Sequence, residues 1–142
     1  MPRLLLLMTT TTYRASAFLD AARRLQVTVV VGSDQPQALE ALTPGSTLTL
    51  DFFHPEEAAR TITAFAATYP LDAVVGVDDD TTLTAAMAAE ALGVSHNPVA
   101  SVAAARNKHQ MRQLLAGCGV PSPGFACYGI DDDPVEVAQQ LM

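Results

Sequence analysis

Residues 3–8, RLLLLM, run directly into residues 9–14, TTTTYR, and the reading of this junction decides the fold. Arg3–Met8 is a short, nearly continuous apolar run, as expected of a strand covered on both faces. Tyr13–Leu25 changes period, with Phe18, Leu19, Ala22 and Leu25 on one helical face. Val27–Val31 is β-branched throughout and stops at Gly32, which predicts a second buried strand. Ser33–Gly45 is a long connection closed by the Pro44-Gly45 turn, and Thr47–Leu50 is a weaker third strand. Pro55 suits a first helical position, Glu56 and Glu57 suit the first turn, and Ala58, Ile62, Phe65, Ala66 and Tyr69 form a buried stripe that Pro70 stops. Ala73–Val77 reads as a fourth strand, Asp78-Asp79-Asp80 follows it, and a helix runs from about Thr81 to Leu92, ended by Gly93.

This β-α-β-β-α-β-α alternation predicts an α/β fold with a Rossmann-like, doubly wound and mainly parallel sheet. Right-handed crossovers put Arg3–Met8 and Ala73–Val77 side by side at its centre, with the chain order reversing between them. Ligands of open α/β sheets bind outside the strand ends at such a switch point. The loops there are Thr9–Arg14 and Asp78–Thr82, both polar.

Composition narrows the function. The chain has 142 residues, 49% of them apolar and 16% charged, with a net charge of −7 and a pI near 4.6. It is long enough for one real core, and its average field repels nucleic acid and anionic membranes. The apolar run Leu4–Met8 is too short for a signal peptide, and no stretch has a spanning length, so a cytoplasmic location is expected. Cys118 and Cys127 have no Cys or His partners at metal spacing, and buried thiols are expected there. His54, His96 and His109 share no spacing that would make a triad or a zinc site; His96-Asn97-Pro98 reads as a turn that could edge the crevice.

The second half changes character. Asn97-Pro98 opens a helix to about Arg106, and Asn107 caps another, in which Met111, Leu114, Leu115 and Cys118 make one apolar face before Gly117 and Gly119 end it. Phe125–Gly129 is a candidate strand, and Asp133-Pro134-Val135-Glu136 starts a last helix close to Met142, which reads as the beginning of a truncated unit.

Arg106–Phe125, RNKHQMRQLLAGCGVPSPGF, resembles the hinge into the ATP-grasp domain of carboxylate–amine ligases and biotin carboxylases. The elements that match are Asn107-Lys108, the helix from Met111 to Cys118, Gly119-Val120-Pro121 and the short strand Phe125–Tyr128. The strand-helix order of residues 3–92 is similar to the pre-ATP-grasp domain of that group, which includes carbamoyl-phosphate synthetase and phosphoribosylglycinamide synthetase. The resemblance covers essentially the whole chain. It implies a pre-ATP-grasp domain over residues 1–105, then a hinge helix and the start of a truncated ATP-grasp domain over residues 106–142.

That resemblance implies an ATP-dependent ligase that activates a carboxylate as an acylphosphate for attack by an amine, phosphoribosylglycinamide synthetase-like or amino-acid ligase-like. It also implies that ATP and Mg2+ serve the parent enzyme, and that this chain is expected to carry no catalytic residue or metal ligand and to bind neither tightly. Its partners are the carboxylate and amine substrates and the ATP-grasp domain, and a homodimer is admitted. The resemblance places Lys108 on the ATP phosphates. Independently, a cation at a first helical position opposes the dipole unless an anion binds there, and Lys108 is the single lysine among eight basic residues. The alternative is a solvated surface lysine.

Thr9, Thr10, Thr11, Thr12, Tyr13 and Arg14 are crevice candidates, with hydroxyls, helix amides and a guanidinium for a carboxylate or phosphate. Equally, Thr12 caps the helix and Arg14 is in solvent. There is no GxGxxG, and the glycine-rich run of glycinamide ribonucleotide synthetases is missing here. Asp78, Asp79 and Asp80 read as a cap plus an amine-facing crevice edge in preference to a metal site, and Asp131–Asp133 as an exposed turn and cap. The competing reading of the whole chain is a free-standing Rossmann- or flavodoxin-like binding or sensor module without catalysis.

Overall fold

The structure, a computed structural model, describes residues 1–37 and 42–141. It divides into two compact units, Met1–Ala103 and Ala104–Met142. The first holds β1 (Arg3–Met8), α1 (Ala15–Arg24), β2 (Thr28–Ser33), β3 (Thr47–Thr49), α2 (Pro55–Thr68), β4 (Ala73–Gly76) and α3 (Asp79–Leu92). Helix α4 (Val99–Arg106) crosses the division, and α5 (Lys108–Gly117) and α6 (Pro134–Leu141) belong to the second unit.

All strand pairs are parallel, in the order β3-β2-β1-β4. The α/β architecture and the neighbouring of β1 and β4 are therefore as the alternation predicts. Leu5, Leu6 and Leu7 are fully buried, each contributing about 1.5–3 kcal/mol. Because successive side chains point to opposite faces, Leu5 and Leu7 join Val30, Ile62, Val74 and the small residues of α2 and α3 on one side. Leu6 and Met8 join Phe18, Leu19 and Val77 on the other, where α1 packs.

Several expectations change. Of the two strands expected at the centre only β1 is interior: β4 is an edge of the sheet among the described residues, and Val75 is 36% exposed. Strand β2 runs through Gly32 instead of stopping there, because Leu7 pairs with Gly32 and Met8 with Ser33. A Cβ at Gly32 would lie 2.5 Å from Leu7 Cδ2 and 3.0 Å from Leu50 Cδ1, so glycine serves packing here, not chain reversal. Leu25, predicted on the buried face of α1, follows the helix end and is exposed. The connection after β2 lies partly outside the described residues; its Pro44-Gly45 turn is present, with Ser46 N–H donating to Thr43 O at 3.2 Å.

In the second unit, Asn107 caps α5 by accepting the Gln110 N–H at 3.1 Å. The apolar face predicted for this helix has no buried residue; Leu114 and Cys118 are exposed, and so is Cys127, against the expectation of buried thiols. Phe125–Gly129 is not a strand. A strand needs a ladder partner, and the described residues supply none; instead Arg112 donates to Pro123 O at 3.2 Å and its guanidinium lies over the Phe125 ring.

One core group has no local explanation. Thr84 in α3 is fully buried, and its Oγ1 has no hydrogen-bond partner. Thr84→Val removes that buried hydroxyl at equal helix propensity, so stability should rise by about 1 kcal/mol. Thermal unfolding should show a Tm higher by roughly 3–5 °C, and a lower Tm would mean that the hydroxyl is satisfied.

Candidate functional site

The carboxyl ends of β1, β2 and β4 converge at the first unit's switch point. Val77 N–H donates to Leu7 O at 2.9 Å, so the ladder carries β4 one residue further and delivers Asp78 beside the loop leaving β1. The approach is close because residue 76 is glycine: a Cβ there would lie 2.8 Å from Thr81 Oγ1. Asp78 caps α3 in a capping box with Thr81, whose hydroxyl accepts the Asp78 N–H at 3.3 Å.

The Asp78 carboxylate also reaches across to the threonine loop. Thr12 Oγ1 donates to Asp78 Oδ1 at 2.8 Å, and Asp78 Oδ2 takes the Thr9 N–H at 3.2 Å and the Thr9 hydroxyl at 3.3 Å. Thr9 and Thr11 hydroxyls are 3.1 Å apart, and Thr12 N–H donates to Thr9 O at 3.2 Å, which makes the loop a turn. Thr12 is not the cap of α1: that position is Arg14, whose N–H donates to Thr12 Oγ1 at 3.3 Å.

A second carboxylate, absent from the sequence-based candidates, completes the arrangement. Asp34 follows β2, and its Oδ1 takes the Thr10 N–H at 2.8 Å while Oδ2 takes the Thr10 hydroxyl at 3.4 Å. Ser33, nearly fully buried, donates to Asp34 Oδ1 at 3.4 Å. The available signal is positional: Asp34 lies three residues past the predicted strand Val27–Val31, at the sheet end where ligands bind.

Tyr13 is 84% exposed, and Arg14 stacks on its ring with Nε and Nη2 donating to the Tyr13 hydroxyl at 3.3 and 3.2 Å. The Tyr13 hydroxyl and, more weakly, the charges of Asp78 and Asp79 hold the Arg14 guanidinium above its ordinary pKa, so it stays cationic. The structure thus gathers Thr9–Arg14, Asp78–Asp80 and Asp34 at one sheet end, with acidic groups outnumbering the cation. Among the described residues no three His, Cys, Asp or Glu form a metal-binding group.

The other candidates lie elsewhere. Lys108 is exposed at the start of α5 in the second unit. His96 does not enter a catalytic cluster: its Nδ1 lies 2.9 Å from Val94 O. His109 meets Phe125 edge-on, and His54 pairs with Asp51 at 2.8 Å, which raises the imidazole pKa. An open groove of about 640 Å³ between α2 and α3, lined by Glu56, Arg60, Thr63, Met87 and Glu90 among others, includes none of the strand-end loops. The polar sheet end carries convergent chemistry and the groove does not, so the sheet end is the better candidate. No helix among the described residues is long and apolar enough to cross a membrane.

The ATP-grasp N-terminal domain family matches residues 19–96, more than half of the chain. No curated protein matches the sequence. Among solved structures, an L-amino acid ligase from Bacillus licheniformis is similar with a TM-score of 0.71 at 19% identity, over 99% of this chain and 41% of that one. A phosphoribosylglycinamide synthetase from Anaerococcus prevotii is similar with a TM-score of 0.68 at 16% identity, over 99% of this chain and 34% of that one. At these identities the likeness is one of fold, and the chain spans well under half the length of either ligase.

Proposed function

The chain belongs to the ATP-grasp N-terminal domain family, and from that membership we propose that it is the substrate-side part of a longer ATP-dependent ligase. The ligase activates a carboxylate by transfer of the γ-phosphoryl group of ATP, releasing ADP. An amine then attacks the acyl carbon, expelling phosphate and losing a proton, so that a C–N bond forms.

The family match over residues 19–96 carries this assignment, and the geometry that agrees with it is the clamp at the sheet end, where Asp78 and Asp34 from two strand ends hold the loop Thr9–Arg14. It gives this domain one wall of a substrate crevice. Its acidic groups suit the amine-bearing substrate, and Arg14 suits a carboxylate. Lys108, at a helix start, is assigned to the ATP phosphates, where a fixed cation offsets developing phosphoryl charge. The described residues offer no ligand set for Mg2+, so the ion that neutralises phosphoryl charge is assigned to the ATP-grasp domain proposed to follow.

Two measurements test the proposal. The ligase that carries this chain should sustain ADP formation beyond a single turnover only when ATP, a carboxylate and an amine are all present. The 142-residue chain by itself should bind ATP and magnesium weakly or undetectably in calorimetry, because it has one exposed lysine and no phosphate loop. Submicromolar affinity of this chain for ATP would put the nucleotide site in the wrong domain. Ligand binding without carboxylate- and amine-dependent ADP formation would favour a binding or sensor module.

A further inference from the structure

The first unit holds six aromatic residues. Four of them are covered: Phe52 and Phe65 in the core beneath α2 and α3, Phe18 beside Leu6 and Met8, and Tyr69 against Phe65. The other two, Tyr13 and Phe53, are 84% and 93% exposed. A lone exposed apolar side chain needs no explanation, but these two stand at the same end of the sheet. Tyr13 lies in the loop leaving β1 and Phe53 in the loop leaving β3, and all the strands are parallel. The ladder runs on to Leu50, whose N–H donates to Ser33 O at 2.8 Å, so the β3 loop starts level with Asp34. The strands that launch the two rings are two ladder steps apart, about 10 Å.

The Phe53 ring stands on a fixed turn. Phe52 is buried in the core and anchors the loop from below. Asp51 closes the turn with both carboxylate oxygens: Oδ1 accepts the Phe53 N–H at 2.9 Å, and Oδ2 lies 2.8 Å from His54 Nδ1. Pro55 then sets the backbone at the first position of α2. An apolar ring kept in water on such a turn gains nothing from this fold, and it gains once a ligand covers it.

We infer that Phe53 is a specificity-determining residue: with Tyr13 it frames the crevice in aromatic surface, and the amine-bearing substrate carries an apolar or aromatic body that covers the rings. That the crevice receives an amine rests on the function proposed above; the placement of the two rings does not. An aromatic body stacks on these rings, and an ammonium is drawn to their faces. Arg14 already lies over the Tyr13 ring, so Phe53 offers the more open surface.

The test uses the full 142-residue chain and two amines of equal charge, 2-phenylethylamine and ethylamine, followed by NMR at the ring resonances of Tyr13 and Phe53. 2-Phenylethylamine should shift both rings saturably and bind about tenfold or more tightly than ethylamine. Phe53→Ala should weaken 2-phenylethylamine by about fivefold or more and leave ethylamine unchanged. Phe53→Tyr keeps the ring and should bind like the wild type. Leu25→Ala removes an exposed apolar side chain from the opposite sheet end, after α1, and should change nothing.

Equal binding of the two amines would overturn the inference. So would a folded Phe53→Ala protein that binds like the wild type, or saturable shifts confined to the α2–α3 groove around Met87. Should Phe53→Ala fail to fold, the two-amine comparison on the wild type decides by itself. ATP turnover does not enter these measurements. A failed ligase assignment would show separately, as missing carboxylate- and amine-dependent ADP formation.

Discussion

Lys108→Ala in the complete ligase proposed above should lower ATP use by roughly one to two orders of magnitude, with the fold intact. The size follows from losing one charge-assisted contact, about 1.5–3 kcal/mol. Little packing is lost, because Lys108 is exposed at the start of α5 and no residue of that helix is buried. Arg112→Ala is the informative comparison, since it lies one turn along the helix. Its guanidinium donates to Pro123 O and lies over Phe125, so its removal should lower stability more than removal of Lys108 does. A solvated lysine at this place would instead be neutral, or slightly unfavourable through the helix dipole. Unchanged ATP kinetics in Lys108→Ala, with an unchanged or raised Tm, would reject the phosphate role.

Asp78→Ala should be the most damaging single change at the sheet end. It removes the cap of α3, which costs about 0.5–2 kcal/mol. It also strands the Thr12 hydroxyl and the Thr9 amide, part-buried donors that the carboxylate satisfies. Together the loss should be about 2–4 kcal/mol, a fall in Tm of roughly 6–15 °C. Asp78→Asn keeps an oxygen acceptor and a good cap, and should cost about 1 kcal/mol. Asp79→Ala, one residue on, should stay near or below 1 kcal/mol, because it removes only a charge from the first helical turn. Thermal unfolding of the three variants checks the order. If Asp78→Ala were no worse than Asp79→Ala, the carboxylate would not be tying the loop to the strand end.

The site was only partly legible in the sequence. Thr9–Arg14 and Asp78–Asp80 follow from strand ends and the switch-point rule, and both lie where the sheet topology requires. Asp34 is the second residue of the long connection Ser33–Gly45, and its partner Thr10 lies 24 positions away, so no local hydrogen-bonding pattern marks it. Thr12 reads equally as a cap or as a ligand-binding hydroxyl, and the cap reading rests on a local signal, a hydroxyl just before a helical pattern. Its donation to Asp78, 66 positions away, is not local.

By itself the sequence determined the α/β class, the parallel order with β1 beside β4, a cap somewhere in Asp78–Asp80 and the cap at Asn107. These rest on period, β-branching and short-range hydrogen-bonding chemistry, which neighbouring residues carry among themselves. The tertiary structure decided that β4 is an edge, that β2 continues through Gly32, and that Phe125–Gly129 stays irregular. It also decided that Leu25, Cys118 and Cys127 are exposed, and that two carboxylates hold one threonine loop. Each of these depends on a partner distant in the chain: a strand exists only with a ladder beside it, and an apolar face is buried only if another surface covers it. Periodicity shows that a residue can be buried or paired; which distant residue lies next to it is settled when the chain closes on itself.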